Sequence, residues 1–200
     1  PQISDMMAGK SRFPQIVSPR SLSTNHFFGR GWWCWMIPLV GGQTSLGIVY
    51  NRDLFDLPGE GKLKGRYERY MRSQPGLRDL LANATMVEDD FLAYRNLPYY
   101  AKQCAGKGWL MVGDAAAFLD PFYSPGLDYM AFSTYSASLL IEDDLCGQLC
   151  DKGVGERVDM HNEWFINAYH RWMEAIYLGK YELYDDFELG CSSYYFRIGM

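Results

Sequence analysis

An α/β fold, in the form of an α+β piece, is what this sequence predicts, and three stretches predict it. Phe27 to Val40 alternates large apolar side chains at strand spacing, Gly41-Gly42 supplies a hairpin turn, and Thr44 to Tyr50 returns as a β-branched and apolar strand. A second, short apolar run from Trp109 to Val112 ends on Gly113-Asp114. Beyond Ser124-Pro125-Gly126 the spacing turns helical, with Leu127, Met130, Ala131, Thr134, Ser138, Ile141 and Leu145 on one face.

Taken in order, residues 1–24 lack steady periodicity and read as a truncated connection. In the first strand Trp33, Trp35 and Ile37 share one face, and Trp32, Cys34 and Met36 the other. A hairpin apolar on both faces needs cover on both sides, so it belongs inside a larger sheet. Asn51 to Gly61 is a loop. Its Gly59-Glu60-Gly61 and Gly65 miss the dinucleotide spacing by one residue, and no strand leads into them. Leu63 to Arg72 reads as a polar helix whose Arg66, Arg69, Tyr70 and Arg72 form a solvated basic face. Pro75-Gly76 ends it, Leu77 to Ala82 makes a short helix, and Thr85 to Asn96 is strand-like. Gly153 and Gly155 separate the long helix from a second one, with Val158, Phe165, Tyr169, Trp172 and Ile176 on its face. The tail from Phe187 ends soon after Tyr194-Tyr195-Phe196, as a chain truncated there would.

Bulk properties narrow the function. Two hundred residues, 48% apolar, can bury a sizeable core, and a net charge of -5 argues against nucleic acid as a partner. The apolar runs are too short for a membrane span, and none resembles a secretory signal. Aromatic content of 16% fits a lined pocket or a large interface. The five cysteines, Cys34, Cys104, Cys146, Cys150 and Cys191, form no metal-type pattern and read as buried or idle thiols in a reducing cytoplasm. No metal site is expected. His26, His161 and His170 are scattered and read as structural or exposed, while Glu88-Asp89-Asp90 and Glu142-Asp143-Asp144 read as solvated. Ser124 has no recognisable His-Asp partners, so hydrolase chemistry is not expected.

Gly113-Asp114 is the stretch with chemistry in it. A glycine permits a sharp turn and close approach of a ligand, and the short aspartate that follows accepts hydrogen bonds from hydroxyls. Ser124 suits an N-cap and Pro125 the first helical position, which would leave the N–H groups of Gly126 and Leu127 facing outward. Together these suit a ligand with hydroxyls and an electron-rich edge, as a flavin has. The same spacing also fits Asp114 capping a turn and Ser124 capping a helix with no ligand.

Gly113-Asp114 followed by Pro121 resembles the second flavin motif of the aromatic-hydroxylase-like FAD monooxygenases. Trp33-Cys34-Trp35-Met36-Ile37-Pro38 is similar to the W-x-W-x-I-P motif of the flavin-dependent halogenase branch, and the order of the two motifs also resembles that branch. The resemblance runs from Asn25 to Leu145. It implies FAD as cofactor, with Asp114 on its hydroxyls, Gly113 allowing close approach, and Pro121 and Ser124 shaping the loop. The amides of Gly126 and Leu127 would meet the pyrimidine edge. Trp33, Trp35 and Ile37 would lie on the substrate side, or serve only as core.

The resemblance further implies part of a two-domain FAD-binding monooxygenase fold, without the N-terminal Gly-rich Rossmann unit. Residues 25–100 would be part of a substrate-binding sheet domain, 101–145 the C-terminal part of the FAD domain, and 146–200 a C-terminal helical region. The expected function is that of the C-terminal portion of a halogenase or monooxygenase, using reduced flavin and O2 to halogenate or hydroxylate an organic substrate. The implied partners are a small organic substrate, free or carrier-bound, chloride or bromide, and a flavin reductase. The halogenase lysine has no counterpart among Lys10, Lys62, Lys64, Lys102, Lys107, Lys152 and Lys180, so the catalytic residue is unknown and the chain alone is not expected to be active. An FAD-dependent dehydrogenase or reductase of the same superfamily, a non-catalytic fragment, and a small binding module are the alternatives.

Overall fold

The computed structural model describes residues 22–147 and 151–198 and contains both helices and strands. It divides into two compact units, one formed by residues up to Leu92 together with those from Gly179 onward, the other by Ala93–Leu178. Among the described residues no helix is long and apolar enough to cross a membrane.

The first unit is built on an antiparallel three-stranded sheet, β1 (Asn25–Gly29), β2 (Trp32–Pro38) and β3 (Thr44–Tyr50), in the order β1-β2-β3. Phe27 to Val40 is therefore two strands rather than one. Gly29 pairs with Trp32 across a turn at Arg30-Gly31, where Gly31 adopts φ +81°, a conformation that favours glycine. Thr44–Tyr50 returns opposite β2 as expected, with Trp35 facing Gly47.

The two faces of β2 are covered differently. Trp32, Cys34 and Met36 pack with Leu57, Tyr67, Met71 and Leu77. Tyr67 and Met71 belong to α1 (Leu63–Ser73), and Leu77 to α2 (Pro75–Arg78). The Tyr67 hydroxyl donates to the Leu46 carbonyl at 2.7 Å, tying α1 to β3. On the other face Trp33 is buried, its indole N–H donating to the Tyr181 hydroxyl at 3.2 Å. Trp35 is only half-buried and lies flat over Gly47, where an added Cβ would come within 2.0 Å of the ring. Its Nε1–H donates to Ser45 Oγ at 3.0 Å.

The basic face of α1 is exposed at Arg69 and Arg72, as expected, and is also engaged with the flanking loops. Arg66 pairs with Asp56 at 3.1 Å, Arg69 donates to the Glu60 carbonyl, and Arg72 donates to the carbonyls of Leu81 and Ala84. Five-donor guanidinium groups on a short helix thus hold the flanking loops. The short helix is Pro75–Arg78, with Pro75 starting it instead of ending its predecessor. Thr85–Asn96 forms no strand: Asp89 and Asn96 both have positive φ, which breaks an extended run. The unit closes with α6 (Phe187–Ile198), whose Leu189 N–H is accepted by Asp186 Oδ1 at 2.9 Å.

In the second unit, β4 (Tyr99–Tyr100) pairs with β7 (Ala117–Phe118), and β5 (Ala105–Gly106) with β6 (Trp109–Leu110) across the expected Lys107-Gly108 turn. The strand predicted to Val112 ends at Leu110, and a 3-10 turn over Gly113–Ala115 follows. Two long helices complete the unit, α3 (Pro125–Leu145) and α4 (Asp151–Ala168). Beyond α4 come a π-helical segment over Tyr169–Glu174 and the short α5 (Ala175–Tyr177). Gly153 and Gly155 lie inside α4, not between helices; the break falls at Cys146-Gly147, where Gly147 has φ +61°.

The face of α3 differs from the predicted one. Tyr129, Ser133 and Ala137 are buried, whereas Leu127, Met130, Ile141 and Leu145 are exposed. On α4 and beyond, His161, Phe165 and Tyr169 are buried, Val158 and Ile176 half-buried. The Trp172 side chain, residues 1–21 and Cys150 lie outside what is described. Cys34 and Cys104 are buried free thiols whose pKa values burial pushes up to about 12 and about 11.

Two glycines test this packing in opposite directions. Gly47→Ala forces the Trp35 indole off the sheet and should destabilise the protein by about 1–3 kcal/mol. Gly65→Ala lies inside α1 with only the end of a flexible arginine near its new Cβ, and should stabilise it by about 0.5–1 kcal/mol. Denaturant unfolding of the two variants measures both.

Candidate functional site

The 3-10 turn and the start of α3 face each other across a cavity of about 430 Å³. All six residues the sequence placed in a cofactor site, Gly113, Asp114, Pro121, Ser124, Gly126 and Leu127, line it. They come together because β6, the 3-10 turn, β7 and α3 follow one another within a short stretch of chain.

Gly113 has two reasons to be glycine. Its φ of +54° lies in the left-handed region, and a Cβ there would meet Met130 Cβ at 3.2 Å. The close approach is locked by a hydrogen bond from its N–H to the fully buried Ser133 Oγ at 3.0 Å. The turn is held from its other side by the Tyr99 hydroxyl, which donates to the Asp114 carbonyl, and by the Ala101 N–H, which donates to the Ala116 carbonyl at 2.7 Å.

These contacts leave the Asp114 side chain exposed beside the start of α3. Its Oδ1 lies 3.5 Å from where a Cβ on Gly126 would stand. A carboxylate here is favoured by the partial positive charge of the helix start. Among the described residues no hydrogen bond or ion pair engages that carboxylate. The cavity therefore joins that carboxylate to a first helical turn whose amides have no intrahelical partner and no Ser124 cap.

Ser124 does not cap α3. Its backbone is left-handed, φ 54° and ψ 38°, and its side chain makes no capping hydrogen bond. Pro125 does occupy the first helical position. The loop leading to Ser124 is fixed instead by an Asx-type hydrogen bond, Phe122 N–H to Asp120 Oδ1 at 2.9 Å, and by Ser124 N–H to the Pro121 carbonyl at 2.9 Å. Tyr177 adds two more: its hydroxyl donates to the Asp120 carbonyl at 2.7 Å and accepts from the Tyr123 N–H at 3.2 Å.

Sequence reasoning missed Ser133, Asp120, Tyr99 and Tyr177. Ser133 was legible in one respect: with Tyr129 and Ala137 it forms a four-residue repeat of small or hydrogen-bonding residues suited to close packing. Trp33, Trp35 and Ile37 belong to the first unit, where Trp33 is a core residue and Trp35 and Ile37 are half-buried.

Behind the cavity, α3 and α4 are joined by polar contacts. The Tyr129 hydroxyl donates to the Phe165 carbonyl at 2.6 Å, Ser136 Oγ and His161 Nδ1 lie 2.7 Å apart, and Asp143 pairs with Arg157 at 2.7 Å. Asp143 is thus partnered rather than merely solvated. His161 is buried, its Nε2 has no hydrogen-bond partner, and burial lowers its pKa.

A strand, a Gly-Asp turn and a helix start enclosing one cavity define a piece of a mixed α/β protein with a loop-lined cavity. Comparison with known proteins gives the class. No family model matches. The chain is 38% identical over 112 residues to the flavin-dependent halogenase chlA of Dictyostelium discoideum, covering 54% of this chain and 18% of that protein. It is 35% identical over 116 residues to the sulochrin halogenase gedL of Aspergillus terreus (55% and 21%), and 33% over 145 residues to the flavin-dependent halogenase ptaM of Pestalotiopsis fici (70% and 26%). The crystal structure of halogenase PltM shares the fold over 97% of this chain and 38% of its own, with a TM-score of 0.78 at 19% identity. The chain is homologous to a portion of the flavin-dependent halogenases. It spans roughly a fifth to a quarter of the length of these curated relatives.

His161 carries a pH dependence whose sign is fixed by its burial. The unfolded chain protonates near the ordinary histidine value of about 6.5, before the folded one does. Stability should therefore fall as pH drops below that value and continue to fall through the lowered folded pKa. Thermal melting between neutral and mildly acidic pH measures this, and His161→Gln should flatten the curve; an unchanged slope would assign it to other groups.

Proposed function

We propose that this chain is the C-terminal portion of an FAD-dependent halogenase, and that the Gly113-Asp114 cavity holds part of its FAD. The observation that carries the reading is the unengaged Asp114 carboxylate beside the start of α3, within the cavity lined by all six motif residues. Homology to the flavin-dependent halogenases supports the same cofactor. Residues 25–100 would then belong to the substrate-side sheet domain, 101–145 to the FAD domain, and 146–200 to a C-terminal helical region.

The residues fit the group. FAD carries hydroxyls that Asp114 would accept from, and a pyrimidine edge that becomes negative on reduction and suits the amides of Gly126 and Leu127. Gly113 lets the cofactor come close to the backbone, while Pro121 and Ser124 shape the loop around it. When bound and reduced, FAD supplies with O2 the oxidising equivalent for inserting halogen, or oxygen, into an organic substrate. The chain's own part is to bind, orient and electrostatically favour the reduced form.

On the substrate side, Trp35 is the indole available to a ligand, since Trp33 is 2% exposed and hydrogen-bonded within the core. Ile37 shares the face of Trp35. The substrate would be a small organic molecule, as the name of the sulochrin halogenase indicates for that relative. Chloride or bromide and a flavin reductase complete the set of partners, and the buried free thiols suit a reducing, cytoplasmic setting.

Asp114→Ala in the complete enzyme should weaken FAD binding by about 10-fold to 100-fold, the range expected for losing charge-assisted hydrogen bonds. Flavin fluorescence titration measures it, and an affinity near wild type would reject the site. Incubating the complete enzyme with reduced FAD, O2, bromide and a small phenol as trial acceptor should give a brominated phenol. Hydroxylated product, or turnover without O2 consumption, would point to a monooxygenase or reductase instead.

A further inference from the structure

We infer that Tyr177 is a positioning residue for the flavin-binding loop, an inference that rests on the function proposed above. Tyr177 lies on α5, beyond α4 and the π-helical segment, far along the chain from the loop it touches. Its side chain is 9% exposed, and its single oxygen makes two hydrogen bonds into the loop, to the Asp120 carbonyl and from the Tyr123 N–H. Its ring also packs edge-on against Tyr123, with centroids 5.5 Å apart.

The loop needs such a hold. Ser124 is a non-glycine residue in the left-handed region, a conformation that persists only where the surroundings fix it. The Ser124 side chain does nothing to secure the helix start, because it makes no capping hydrogen bond. What fixes the approach to Ser124 is the Asp120 carboxylate from within the loop and Tyr177 from outside it. Tyr177 thereby determines where Pro121 and the first turn of α3 stand against the cavity, without lining the cavity itself.

Burial, with the Asp120 carboxylate nearby, raises the Tyr177 pKa, so the phenol keeps its proton and both its donor and acceptor roles across the working pH range. Phenylalanine keeps the ring and loses both hydrogen bonds. The loop would then relax, and the amides at the start of α3 would be less well placed toward a reduced, negatively charged flavin edge. The effect should fall more heavily on reduced than on oxidised FAD, which a purely structural role would not produce.

The test compares wild type, Tyr177→Phe and Asp114→Ala in the complete enzyme by FAD titration, flavin midpoint potential and thermal melting. Tyr177→Phe should weaken FAD binding by about tenfold and move the potential to a more negative value. Unchanged affinity and potential in Tyr177→Phe, beside lost FAD binding in Asp114→Ala, would overturn the role of Tyr177 alone. FAD binding unaffected by Asp114→Ala would overturn the flavin reading itself. If Tyr177→Phe does not accumulate as folded protein, 3-fluorotyrosine at position 177 keeps the ring and both bonds but strengthens the donor toward Asp120 and weakens the acceptor toward Tyr123. The potential should then move from its wild-type value, and no shift would reject the role.

Discussion

The second unit depends on one close approach, that of the Gly113 backbone to α3. The hydrogen bond from its N–H to Ser133 and the contact with Met130 require a left-handed residue without a side chain at 113. They also require a small, polar helix face opposite it. That requirement explains why α3 turns Ser133 and Ala137 inward and leaves larger apolar residues at its surface. With the turn fixed, Asp114 is carried to the helix start without any contact of its own side chain having to put it there.

A narrow face of small residues gives little area for apolar burial, so something else must set how α3 and α4 align. The contacts at Tyr129, Ser136 and Asp143 recur every seven residues along α3, while their partners Phe165, His161 and Arg157 recur every four along α4, in reverse order. The two helices are therefore antiparallel, and the contacts specify a register that sliding by one turn would break. A hydrogen bond to a buried group is worth only about 0.5–1.5 kcal/mol net, but leaving that group unpaired costs more. Register specificity follows from that asymmetry more than from the strength of any one contact.

The parts legible in the sequence are those whose causes are local. Gly41-Gly42 and the alternation on either side gave the hairpin of β2 and β3, and Gly113 through Leu127 gave a contiguous strand-turn-helix cavity. The strand break at Gly31 had a local sign, a glycine pair flanking Arg30, which continuous hydrophobicity obscured. The inward face of α3 had only a weak sign, the four-residue spacing of Tyr129, Ser133 and Ala137. Hydropathy points to Leu127, Met130 and Ile141, and only the partner turn at Gly113 makes Ser133 and Ala137 the better face to bury. Tertiary context also decided α4, where Gly153 and Gly155 continue a helix they would weaken in isolation.

Ser124 shows where local reasoning and the site part company. Serine before Pro125 has every local reason to cap a helix, and a capped start would bind one of its own free amides. In its left-handed conformation the Ser124 side chain caps none of those amides, and the structure secures the loop with Asp120 and Tyr177 instead. The supporting groups come from inside the loop and from the far end of the unit, so no motif spacing reveals them. A helix start deprived of its own cap and held by remote residues has donors to spare for a ligand, and the Asp114 carboxylate beside it has acceptors to spare. That pairing of unused donors and acceptors is what the proposed flavin site would draw on.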